Sequence, residues 1–258
     1  MRHVEVVLLV VLFLGLAACD LIGASGDGGN YPTTLTPISP DEIAKRTEAF
    51  HQQSDGHICS GLDSFGLASG DGCLRPDETP DETIGRKAAV TLAKQEVAAY
   101  QAYTNVESAS ALSVKNARPL RDSLIWRVRF RDQVYEGKRV RKTGILLWLT
   151  ADGVFRIDQH WYRGIVSPED PISREEALEQ AVGHKINYSD WTGSQTLRVS
   201  KENLPPPDSV ETSVLPHRVE DELQLRVVWE FELADSFFRL YVDGARGSVV
   251  ESDQLVVF

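Results

Sequence analysis

The residues able to do chemistry are few and scattered. Six histidines stand at positions 3, 51, 57, 160, 184 and 217, with no His-Glu-x-x-His spacing to hold zinc on one helix face. Asp63 and Asp71 offer oxygens without the regular spacing of an EF-hand calcium loop. No Gly-x-Ser-x-Gly elbow, phosphate-cradling loop or dinucleotide fingerprint is present. Most carboxylates fall in helix caps, turns or a polar N-terminal stretch, where a solvated structural role is the ordinary one. The chain is therefore expected to be a non-enzyme, with no catalytic residue, no metal and no cofactor. What stands out instead is positive charge. Arg127, Arg129 and Arg131 alternate along the polar face of a strand, and Lys138, Arg139, Arg141 and Lys142 follow on a long hairpin. The corresponding face later in the chain carries Glu230 and Glu232. Two readings stay open: ion pairing within the molecule, cross-strand or between its two halves, or a docking face for an acidic partner or anionic head groups.

The other reactive groups are three cysteines. Arg2 opens a short basic segment, Val6 to Leu16 is apolar, and Leu16-Ala17-Ala18-Cys19 follows directly. A membrane-spanning helix needs roughly 20 apolar residues, so this run fits a cleaved signal better than a span. The Leu-Ala-Ala-Cys block resembles the bacterial lipobox. That resemblance implies a signal peptide over 1–18, a diacylglycerol thioether on Cys19 and cleavage before it. The body would then sit on a membrane through lipid, facing the periplasm or the cell exterior. Cys59 and Cys73 remain as an even pair in an oxidising compartment. A disulfide is predicted between them, and closing so short a loop stabilises by about 3 kcal/mol in the chain-entropy model.

Composition narrows the partner. With 258 residues and 42% hydrophobic content the chain can bury one sizeable core or two small ones. A formal net charge of -11 argues against a nucleic-acid binder, which needs a basic footprint. It also means that an anionic bilayer repels the average surface, leaving the acyl chains to supply attachment.

The elements that must position these residues read as two α+β units. Residues 19–38 are rich in Gly, Ser, Thr, Asp and Pro and read as a flexible tether. Ser39-Pro40-Asp41-Glu42 is an N-cap, a first-turn proline and a capping-box glutamate, predicting a short helix to about Gln52 within a 39–78 segment that also holds the cysteine loop. The device recurs at Thr79-Pro80-Asp81-Glu82, before an alanine-rich helix with Ile84, Ala88, Leu92 and Ala99 at helical spacing. It recurs again at Ser173-Arg174-Glu175-Glu176. Strands follow each of these last two helices. Trp126, Val128 and Phe130 alternate with arginines, and Leu225, Val227, Trp229, Phe231 and Leu233 alternate with mostly polar neighbours, as half-buried antiparallel strands do. Asp152-Gly153 and Asp243-Gly244 are hairpin turns leading into closing strands. The units are placed at 79–163 and 172–258, with His160-Trp161-Tyr162 packing between them.

The second unit has an order of features that resembles a known family. An Ile-Ser-x-Glu-Glu-Ala-Leu helix start over 172–178, the Trp229-x-Phe231-x-Leu233 strand and the hairpin over Leu240 to Val250 resemble PepSY and related thermolysin-propeptide-like (FTP) domains. Tyr241, Asp243, Gly247 and Val249 match the recurring hairpin of that family. The resemblance implies tandem PepSY/cystatin-like units and a role in inhibition, protease chaperoning or envelope regulation, exerted in trans on a separate envelope protein or protease. The expected function is a membrane-anchored, non-enzymatic protein-binding or protease-inhibitory module; the alternative is a structural envelope lipoprotein without a defined ligand.

Overall fold

The computed structural model describes residues 31–70, 82–120, 124–234 and 236–255. Strand β1 (Thr33–Leu35) opens it, and helix α1 (Pro40–Gln53) follows. Half of the announced cap at the start of α1 forms: Ser39 Oγ accepts from the Glu42 amide at 3.3 Å, with Pro40 in the first turn, but the Glu42 carboxylate accepts from Arg46 Nε at 2.7 Å instead of closing a capping box. A small hairpin, β2 (Gly61–Leu62) and β3 (Ala68–Ser69), precedes helix α2 (Arg86–Ala99) and the short α3 (Gln101–Thr104). Thr79 to Asp81 lie outside the described residues. The predicted helix start there is corrected: α2 begins at Arg86, after Gly85, without a side-chain cap. One physical reason is visible at Ile84, whose carbonyl accepts from Trp126 Nε1 at 2.9 Å and so holds the chain extended just upstream. The buried stripe of α2 is Ala89, Ala93 and Val97 rather than the predicted Ala88 and Leu92 set. Small residues at i, i+4 and i+8 let the helix lie close against a sheet.

That sheet has four antiparallel strands in the order β4 (Val114–Leu120), β5 (Ile125–Phe130), β8 (Gly144–Leu149) and β9 (Val154–His160). Two short strands, β6 (Val134–Tyr135) and β7 (Lys138–Val140), interrupt it in sequence. Trp126, Val128, Phe130, Ile145, Leu147, Leu149 and Ile157 join the α2 stripe and Phe50 of α1 in one buried cluster. Apolar side chains at alternate positions thus face the helices, which leaves the arginines of β5 on the opposite face.

The second half begins with helix α4 (Arg174–Ala181), closed by a complete capping box between Ser173 and Glu176. A separate hairpin follows, β10 (Lys185–Asp190) with β11 (Gly193–Arg198). Then β12 (Glu211–Val219), β13 (Glu222–Glu232), β14 (Phe238–Asp243) and β15 (Val249–Gln254) form an antiparallel meander. Ala177, Leu178 and Ala181 bury against Phe231, Phe238, Leu240 and Val242. The protein is α+β, with helices lying on antiparallel sheets.

The unit boundaries drawn at 79–163 and 172–258 are crossed twice. The β6–β7 hairpin leaves the first sheet and joins the second, where β7 runs parallel to β12 with Ser213 opposite Arg139 and Val214 opposite Val140. From the other direction, residues placed in the flexible tether form β1, which pairs with β13 from Thr33↔Leu225 to Leu35↔Leu223. The tether reading is corrected for that stretch. Leu35 is buried with Val140, Tyr162, Ile165, Val214 and Leu225, and Thr33 Oγ1 donates to Gly164 O at 2.9 Å. Burial of a single leucine and a few ladder bonds suffices to order three residues that carry no alternation signal. Of the three aromatics expected between the halves, Tyr162 lies in this bridging cluster, whereas Trp161 packs on the first core and His160 is exposed.

The Tyr241-Val242-Asp243-Gly244 turn is structural. Asp243 is fully buried, accepts from the amides of Ala245 and Arg246 at 2.8 and 2.9 Å, and pairs with Arg226. Gly244 is required because a Cβ there would stand 2.9 Å from Val227 O.

Candidate binding face

The structure splits the seven-residue cationic cluster into two groups with different fates. The hairpin group is internally neutralised, which corrects its inclusion in a docking patch. β7 docks on β12 and carries Arg141 to Glu230, which also accepts from Ser213 Oγ at 2.8 Å. Arg239 approaches the same carboxylate at 3.3 Å. Burial, with Arg139 and Arg239 nearby, holds the Arg141 guanidinium below its usual pKa, yet an arginine so shifted remains charged at neutral pH. Lys142 pairs with Glu251, Arg139 Nε donates to Asp132 at 2.6 Å, and Lys138 meets Glu136 at 3.2 Å. Of the predicted carboxylates, Glu230 takes Arg141, and Glu232 pairs with Arg239.

The strand group is different. Arg127 and Arg129 point away from α2, and neither has a carboxylate within ion-pair distance among the described residues. Register builds a row across the sheet. Arg118 of β4 stands opposite Arg127, Arg127 opposite Trp148 of β8, and Trp148 opposite Arg156 of β9. The guanidinium carbons of Arg127 and Arg156 lie 5.8 and 5.6 Å from the centroid of the Trp148 ring, within cation–π range. Arg129 begins the next row, opposite Asn116 and Leu146. Arg118 and Arg129 are exposed, while Arg127 is half-buried. Burial first, then the like charges of Arg118 and Arg129, hold Arg127 below its ordinary pKa. Such crowding is relieved by an anion placed over the row.

Arg156 closes the row at the β9 side through Asp158 at 2.8 Å. That edge is covered by the chain before α2. The Cys59 amide donates to Phe155 O at 2.9 Å, and Ser60 Oγ accepts from the Ile157 amide at 2.7 Å. Gly70 sits against Arg156 and Asp158 so closely that no Cβ fits. Asp158 is therefore shared between Arg156 and the Gly70 amide, and the free positive charge concentrates over β4 and β5. Trp148 Nε1 is buried with no hydrogen-bond partner among the described residues.

Arg118, Trp148 and Arg156 escape a reading of the sequence one strand at a time. The signal is present in Ile145-Leu146-Leu147-Trp148-Leu149, where period two puts Trp148 on the arginine side, but only the pairing of β8 with β5 reveals it. Arg131 departs from the row: its amide donates to Ser113 O at 2.8 Å, and its side chain lines a cavity at the junction of the two halves. Cys19 and Cys73 lie outside the described residues. Cys59 Sγ is 3.0 Å from Phe155 O. Among the described residues no helix is long and apolar enough to cross a membrane.

No family model matches the chain, and no curated protein matches it. Among solved structures, the C-terminal domain of YpeB from Bacillus megaterium is similar over 70% of each chain, at 12% sequence identity and a TM-score of 0.31. At that TM-score the likeness is slight.

Proposed function

We propose that this chain is a non-enzymatic binding module, held outside the cytoplasm by acyl chains on Cys19, that captures an acidic segment of an envelope protein on the arginine face of its four-stranded sheet. The observation that carries the reading is the row Arg118, Arg127, Trp148, Arg156 with Arg129 beside it, on a protein whose net charge is -11. Internal pairing accounts for the hairpin cations and leaves Arg118, Arg127 and Arg129 without carboxylates among the described residues. Arg127 and Arg129 are two residues apart on one strand, hence about 6.8 Å apart along it, the same repeat as alternate side chains of an extended peptide. An extended segment lying along β5 with carboxylates at every second position therefore matches Arg127 and Arg129, each guanidinium offering a planar fork to a carboxylate. A partner protease regulated in trans fits the PepSY resemblance of the second half.

The reading is tested by fluorescence anisotropy of a labelled Glu-Ser-Glu-Ser-Glu peptide titrated with the chain. Binding weakens as salt rises, and Arg127→Ser with Arg129→Ser weakens it at least tenfold. Affinity unchanged by the double substitution contradicts the face. The anchor has its own test. Cys19→Ser abolishes acyl labelling and membrane sedimentation, and non-reduced mass spectrometry of the native protein finds Cys59 bridged to Cys73. Unlabelled native protein, or two free thiols, contradicts the extracytoplasmic setting.

A further inference from the structure

A cavity of about 650 Å³ lies away from the arginine row, where the two halves meet. Its volume is within the range of small-molecule pockets, which favour such junctions. Three segments wall it: the loop after α3, the start of the β6–β7 crossover, and the connection that leads to the second half.

These walls are tied to one another. Asn105 Nδ2 donates to Trp161 O at 3.1 Å, and Arg163 Nε donates back to Asn105 O at 3.0 Å. Gln133, buried, holds the Tyr162 backbone from both sides, donating to its carbonyl at 2.6 Å and accepting from its amide at 2.9 Å. The Arg131 amide bonds Ser113 O and completes the ring. A cavity held by side-chain-to-backbone bonds on all three walls is preformed, so a ligand does not have to order it on binding.

The chemistry of the lining is lopsided. Arg131 and Arg163 both line the cavity, and neither pairs with a carboxylate among the described residues. Asp132 is engaged by Arg139, which leaves Glu107, an exposed residue, as the other acid of the lining. Trp161, Tyr135 and Leu112 supply aromatic and aliphatic surface. Two available guanidinium groups beside aromatic walls suit an anion attached to an apolar body.

We infer that this cavity is a second binding site, for a carboxylate borne on an aromatic or aliphatic group. The carboxylate sits between Arg131 and Arg163, and the apolar part stacks on Trp161. The same chemistry is offered by a free aromatic acid and by the carboxy-terminal residue of a peptide. The site is independent of the arginine face: it uses different residues, and neither reading requires the other.

Calorimetric titration of the full anchored chain in nanodiscs tests it, using phenylacetate, the peptide Ala-Ala-Ala-Phe with a free carboxylate, and its carboxy-terminal amide. At least one acid binds, the amide binds at least tenfold more weakly, and Arg131→Met weakens the acid at least tenfold. Arg131 is the informative variant because its side chain makes no hydrogen bond to the walls among the described residues, whereas Arg163→Met also removes the tie to Asn105. The Glu-Ser-Glu-Ser-Glu peptide, titrated in parallel, binds the Arg131→Met chain as it binds wild type, which separates failure of this site from failure of the face. Phenylacetate binding as tightly as the peptide identifies a small acid as sufficient; binding of the peptide alone identifies a chain end. No binding by either acid, equal binding of the amide, or an Arg131→Met chain that behaves as wild type overturns the inference.

Discussion

Glu230 is 5% exposed and gathers Arg141, Arg239 and Ser213 around one carboxylate. Removing it strands a nearly buried guanidinium, the costly way to break an ion pair. Glu230→Ala is predicted to destabilise by about 3 kcal/mol in urea unfolding. Arg139→Ala, whose pair with Asp132 leaves the arginine side chain 52% exposed, is predicted to cost less than about 1 kcal/mol. Equal effects would show that the Glu230 pair is not the more deeply coupled one. The positive charge of Lys138 to Lys142 is legible from residue types alone. Its neutralisation is not, because Glu230 and Glu251 stand 89 and 109 residues further along the chain than their partners and meet them only after β7 has docked on the second sheet.

Elements with strong local signals were easiest to read. Both Ser caps, the alternation of β5 and the Asp152-Gly153 turn each depend on contacts within a few residues, which periodicity and turn chemistry capture; β13, read as half-buried, instead buries Val228 and Glu230 as well as Leu225, Val227 and Phe231. The start of α2 and the membership of β6–β7 depend on tertiary contacts: Trp126 reaching Ile84 in one case, Val140 burying beside Val214 in the other. Val140 is fully buried, and Val140→Ala is predicted to cost about 2 kcal/mol, the sum of lost methyl burial and a cavity. An effect under about 0.5 kcal/mol would mean that the hairpin contributes little to the second sheet. The joint between α4 and β10 carries the pH prediction. His184 is pushed below its ordinary pKa by burial. The folded state therefore favours the neutral ring, and this contribution is present above the unfolded value of 6.5 and lost as pH falls toward the depressed one. His184→Gln is predicted to reduce the drop in melting temperature between pH 7.5 and 5.5; an undiminished drop contradicts it.

At the scale of the whole molecule, two helix-and-sheet halves are legible but their separateness is not a property of the chain. β1 and the β6–β7 hairpin are both given to the second sheet from sequence that precedes it, and a cluster of Leu35, Val140, Tyr162, Ile165 and Leu225 bridges the halves. Calorimetry of the full chain is predicted to show one cooperative transition. The isolated 172–258 segment, lacking three strands of its seven-stranded sheet, is predicted to show none. Two separate transitions, or a cooperatively folded fragment, would restore the picture of independent units. The same architecture underlies the proposed face: the hairpin cations are absorbed in joining the halves, and Arg118, Arg127 and Arg129 of β4 and β5 keep no carboxylate partner among the described residues. The most direct measurement places a photo-crosslinking residue at Asn116, exposed and opposite Arg129, in the full chain within its native membrane, with Lys87 on α2 as the comparison. The account predicts a discrete crosslinked protein from position 116, joined through an acidic stretch and absent from position 87; no product at 116, or the same products at both positions, contradicts it.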